Sequence, residues 1–191
     1  MQPESSGTGD REILASRPDL LAAGATIIAI FATSMAAFEL SWGRSALGDL
    51  GAQPGGFPGA VGVVAVTAVA HEFLHALGWK VFGQLPPGSI SIQSTWRVMG
   101  LVARLDVPVP PLTYRAGLLM PALVLGMVVV AAGLAIGHGL PVVWAQFFLL
   151  ESFTDIASLV ALRSLPKGAL IRSHPRKLGC MAVGGEPPAK A

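Results

Sequence analysis

Uncharged apolar runs dominate the chain and divide it. Leu20 to Phe38 holds no charged residue, and about 20 apolar residues suffice to cross a bilayer. Leu50 to Ala70 is also uncharged. Its helix is expected to start at Pro58, because proline suits the first helical turn, and to run on to about Phe82. From Ala116 to Leu150 there is no Asp, Glu, Lys or Arg. That run is too long for one span, and Gly137-His138-Gly139-Leu140-Pro141 punctuates its middle as a turn. It therefore splits into two expected helices, about 113–136 and about 141–163.

A different pattern separates the second and third helices. Ser89-Ile90-Ser91-Ile92-Gln93 alternates polar and apolar residues, and Leu101-Val102-Ala103-Arg104-Leu105-Asp106-Val107 does so more loosely. With Gly100 between them and Pro108, Pro110 and Pro111 after them, these segments predict a short β-ribbon at about 89–107. The expected fold is thus an all-α membrane protein. It has four transmembrane helices, about 20–40, 57–82, 113–136 and 141–163, with the ribbon between helices two and three. Residues 1–19 form an N-terminal segment, 20–182 the membrane domain, and the Gly-, Pro- and Ala-rich 183–191 a disordered tail.

Composition supports lipid as part of the solvent. Of the 191 residues 52% are hydrophobic and 13% charged, too little charge to cover a soluble surface of this size. The net charge of +2 is too small to argue for nucleic acid. The one cysteine, Cys180, excludes an intramolecular disulfide and a Cys-based metal site. The first twenty residues are charged and lack an early apolar run, unlike a signal peptide, so the first helix is expected to be retained.

The basic residues orient the spans. Arg11 and Arg17 precede helix one, and only Arg44 follows it. Lys80, Arg97, Arg104 and Arg115 lie between helices two and three, and the turn at 137–140 has no basic residue. Arg163, Lys167, Arg172, Arg176 and Lys177 follow helix four. Positive charge collects on the cytoplasmic side of short loops. The alternation predicts a multi-pass integral membrane protein with both termini in the cytoplasm.

His71 and His75 stand four apart and share one helix face. Two imidazoles at that spacing suit one tetrahedral zinc ion. Glu72 sits beside the pair, where it can take a proton from a metal-activated water without being a ligand. Ionisable residues in an apolar helix are costly and are usually there for function. Catalysis needs a third protein ligand and an open position. His138, His174 and Glu39 lie at the wrong depth. Glu151 and Asp155 lie on one face of helix four. Counted from Pro58 and Pro141, His71 and Asp155 both sit roughly 20 Å from the outer ends of their helices, at 1.5 Å per residue. Depth favours Asp155 over Glu151.

His71-Glu72-Phe73-Leu74-His75-Ala76-Leu77 on a membrane helix resembles the putative zincin peptidase family of small bacterial integral membrane proteins, which are similar to site-2 intramembrane proteases. The resemblance runs from about Val63 to Gly179. It includes Pro121 in the next helix and the closing His174-Pro175-Arg176-Lys177-Leu178-Gly179. It implies zinc held by His71, His75 and Asp155, Glu72 as the catalytic base, and a place in the bacterial plasma membrane. Site-2 proteases carry an Asn near a Pro and a Gly after the ligand Asp. This chain has no Asn, and Ile156 follows Asp155. The oxyanion donor is therefore unassigned among Gln146, Ser152, Thr154 and His174.

The expected function is zinc-dependent hydrolysis of peptide bonds in membrane or membrane-proximal substrates. An extended substrate could add to the ribbon edge, although the ribbon also suits a plain surface connector. The competing reading is a non-enzymatic metal-binding membrane protein. Transport would favour more polar residues between helices, and a structural site would use four protein ligands where this chain offers three.

Overall fold

The computed structural model describes residues 11–95, 100–165, 168–175 and 179–184. Arg97, Lys167, Arg176, Lys177, Leu178 and the tail from 185 lie outside the described residues, so the closing motif is described only in part.

Four long helical segments and two small antiparallel sheets make up the fold. Helix α1, Arg17–Trp42, begins where the Ser16 backbone N–H and hydroxyl both donate to the Asp19 carboxylate, at 2.8 and 2.5 Å. It ends at Gly43, whose φ of 64° suits glycine and lets its N–H close on the Glu39 carbonyl. A short 3-10 helix, Ala46–Ala52, leads to α2, Gly56–Gly83.

The third segment is not one regular helix. It comprises α3, Pro111–Pro121, a π-helical stretch Ala122–Val128, and α4, Val129–Ile136. The π stretch begins directly after the helix-interrupting Pro121. The single helix expected over about 141–163 is also two: α5, Gly139–Glu151, and α6, Phe153–Ala161, bent by 50°. The bend falls at Ser152, which is fully buried and turns its hydroxyl onto the Phe148 carbonyl. Three helices are long and apolar enough to cross a membrane, and the bent α5–α6 pair passes the same test as one broken span. Their outward residues are bare: Phe57 is 81% and Val66 70% exposed. Such faces suit lipid better than water.

Strands β2, Ile90–Thr95, and β3, Gly100–Leu105, form a ribbon pairing Ile90 with Leu105 and Ile92 with Ala103. Those four share one face, and Ala103 and Leu105 enter the main buried cluster with Trp79 and Tyr114. The all-α expectation needs correction, because a second sheet exists. Strand β1, Arg11–Ile13, pairs with β5, Cys180–Val183, which also pairs with β4, Leu170–Ser173. The expected N-terminal segment 1–19 thus contains strand β1, and β5 ends at Val183, the first residue of the expected tail 183–191. The segments are too short and too far apart in sequence to announce their partnership. Val109 and Ile171 exchange two 2.8 Å backbone bonds, and the Leu105 N–H donates to the Ser173 hydroxyl at 2.9 Å, which joins the sheets.

The opposite end is closed by a polar clasp. Arg44 reaches Asp49 at 2.5 Å and the Gly137 carbonyl at 2.6 Å, while the Gly139 N–H donates to Asp49 at 2.6 Å. Gln53, three residues before α2, accepts the indole N–H of Trp144 in α5 at 2.8 Å, so α2 and α5 start at the same end. Helix α2 packs most extensively on α3, and glycines make that approach possible. A Cβ on Gly78 would lie 2.8 Å from the Gly117 Cα, and one on Gly117 would lie 2.0 Å from the Trp79 Nε1.

Candidate metal centre

Four residues converge where α2, α3, α6 and β3 meet. His71 and His75 are both buried on α2, one turn apart. The His71 Nε2 lies 3.1 Å from the His75 Nε2. Asp155, in the first turn of α6, places its Oδ2 3.0 Å from the His71 Nε2 and 3.3 Å from the His75 Nε2. Tetrahedral zinc ligands at 2.0–2.1 Å stand about 3.3 Å from each other. The triangle of donor atoms therefore has nearly the dimensions a metal ion requires.

Proton accounting supports the fit. The His75 Nδ1 lies 2.9 Å from the Gly117 carbonyl oxygen. A carbonyl only accepts, so Nδ1 carries the proton and the Nε2 of a neutral ring presents its lone pair to the cluster. The other two apices are a carboxylate oxygen and a second imidazole nitrogen. A cation among three such donors satisfies them together, and two nitrogens with one oxygen suit zinc. The His75 ring also stacks on Trp79 at 5.7 Å, and Trp79 stacks on Tyr114 at 5.8 Å and donates to its carbonyl. This column presses α2 against α3 and holds the imidazole plane.

Glu72 stands outside the triangle but within the same group. Ligand atoms of His71, Glu72 and His75 all fall within 4.8 Å of one another. The Glu72 Oε2 accepts the backbone N–H of Ala103 at 2.6 Å. In the ribbon register Ala103 opposes Ile92, and its N–H points away from β2 towards α2. Strand β3 therefore lies along the motif helix with its outer edge at the cluster.

The remaining candidates lie elsewhere. Glu39 is exposed near the end of α1. His138 is in the clasp, 3.6 Å from Asp49. His174 pairs with Glu12 at 3.1 Å beside the three-stranded sheet. The Glu151 Oε2 is buried and has no hydrogen-bond partner among the described residues. Among the proposed oxyanion donors, Gln146 bonds Ser34 and the Val142 carbonyl, and Ser152 bonds the Phe148 carbonyl. The sequence reading did not single out Ala103 and Gly117, which act through backbone atoms. The small Gly78–Gly117 pair was the one available signal for the second.

A family model described as putative zincin peptidase matches residues 64–170. No curated protein and no solved structure matches the chain. The matched span takes in most of α2, the ribbon and every element through α6. It leaves out α1 and most of the three-stranded sheet, and it ends before His174.

Proposed function

This chain belongs to the putative zincin peptidase family, and from that premise we propose that it is a membrane-seated, zinc-dependent peptidase. The observation that carries the proposal is the convergence of the His71, His75 and Asp155 donor atoms at 3.0–3.3 Å. These three residues would hold the metal. When bound, zinc supplies a Lewis acid for the scissile carbonyl and for the attacking water.

Glu72 takes the proton from that water and delivers it to the departing amine. The Ala103 N–H fixes one of its carboxylate oxygens and leaves the other for the water. Gly117 holds His75 in the tautomer that ligation needs. Helices long and apolar enough to cross a bilayer support membrane or membrane-proximal peptides as substrates, with the two sheets on the cytoplasmic side in this reading. The ribbon stands beside Glu72, where an extended segment can pair with strand edge.

In detergent or vesicles, Glu72→Gln should retain zinc and lose hydrolysis of membrane peptides by about 10²–10⁴-fold. A fully active variant would remove Glu72 from the mechanism. Asp155→Ala should lower the zinc content of the purified protein, and an unchanged content would exclude Asp155 from the ligand set.

A further inference from the structure

The two histidines differ at the nitrogen that faces away from the triangle. His75 has the Gly117 carbonyl for its Nδ1 proton. The His71 Nδ1 is buried and meets no hydrogen-bond partner. When a neutral imidazole ligates through Nε2, its one ring proton sits on Nδ1, so a donor appears there that needs an acceptor. A buried donor left unmatched loses the water it had in the unfolded chain and gains nothing in return.

One helical turn before Asp155, the Glu151 Oε2 is also buried and without a partner. Glu151 directly precedes the Ser152 bend, and helical bonds continue through that bend. The Ser152 N–H reaches the Phe148 carbonyl at 3.2 Å, and the Ile156 N–H reaches the Ser152 carbonyl at 3.0 Å. Glu151 therefore keeps its place one turn nearer the clasp than Asp155. Gln53, three residues before α2, accepts the indole N–H of Trp144 in α5 at 2.8 Å, so both helices run from the clasp end and His71 is likewise one turn nearer it than His75. Asp155, one turn on from Glu151, reaches the His71 Nε2 at 3.0 Å. An acceptor without a donor, at the α5–α6 bend, and a donor without an acceptor, on α2, thus stand near the same level.

We propose that Glu151 is the positioning residue for His71, its carboxylate accepting the Nδ1 proton directly or through one buried water when the metal is seated. The proposal rests on the zinc site described above and deepens it. It makes the two histidines equivalent, each ligating through Nε2 and each held at Nδ1 by an oxygen from another helix. It also gives a role to the second carboxylate of helix four, which the ligand triangle does not use.

The test is zinc affinity of the full-length protein in detergent, measured by competition with a chelating dye. Two variants separate hydrogen bonding from other roles. Glu151→Leu removes the acceptor and should weaken zinc binding about 10–100-fold. Glu151→Gln keeps an acceptor oxygen and should stay within about threefold of the wild type on the same scale. In the zinc-loaded wild type, nitrogen-15 histidine spectra should show a hydrogen-bonded, slowly exchanging His71 Nδ1 proton, and Glu151→Leu should lose that signal. Wild-type affinity in both variants, or an equal loss in both, overturns the positioning role. A wild type that takes up no zinc overturns the underlying metal reading instead, and this proposal with it.

Discussion

Asp49 fastens two loops with one carboxylate. Its hydrogen bonds from Arg44 and from the Gly139 N–H hold the carboxyl below its ordinary pKa. A carboxyl depressed in the folded state stabilises above its unfolded pKa of about 4 and stops doing so as pH falls through the lower folded value. Thermal unfolding in detergent should therefore show Asp49→Asn less stable than the wild type at about pH 6. The two curves should converge only as pH falls through the lowered pKa of folded Asp49, below about 4, where both side chains are neutral. Curves that stay parallel down to that pH would show that the carboxylate charge contributes nothing to the clasp. The residue scale also shows what spacing reveals. His71 and His75 were legible because a four-residue interval on a helix is a geometric statement. Asp155 was legible through depth, because helices of known rise place residues at calculable levels. The Ala103 N–H was not legible, because the reach of a backbone donor depends on strand register and not on side-chain identity.

Between elements, glycine sets how closely α2 and α3 approach. A methyl on Gly117 would meet the Trp79 indole, which must leave its stack or push α3 away. Gly117→Ala should cost about 1–3 kcal/mol of stability by overpacking. It should also weaken zinc binding, because the carbonyl that orients His75 moves with α3. Gly62 is the internal control, since a Cβ there meets nothing within 4 Å. Gly62→Ala should be neutral or stabilising by up to about 1 kcal/mol through helix propensity. Equal effects at both positions would show that the α2–α3 approach is not what holds His75. Pro121, which the expected single helix of about 113–136 ran through, is a sequence marker of the π-helical stretch that follows it. The Ser152 bend had no such marker, since a serine inside a helix is ordinary until its surroundings bury it.

Across the whole molecule, pairing of β1 with β5 brings the first and last strands to the end that also holds the ribbon. The four-span topology with both termini on one side, expected from the basic residues, can be tested directly. Reporter domains fused at either terminus should fall on one side of the membrane, and a reporter inserted at His138 on the other. A terminal reporter on the same side as His138 would break the four-span topology.

Apolar run length, charge alternation and the His71-Glu72-Phe73-Leu74-His75 interval were enough to identify helices, an expected orientation and a candidate pair of ligands. Each of these depends on neighbours in sequence or on a single helix axis. The three-stranded sheet, the kink at Ser152, the Gly117 carbonyl behind His75 and the Ala103 N–H on Glu72 depend on segments distant in the chain. Only packing decides which of those segments meet, because many orders of apolar helices bury similar area and differ only in which polar atoms they bring together.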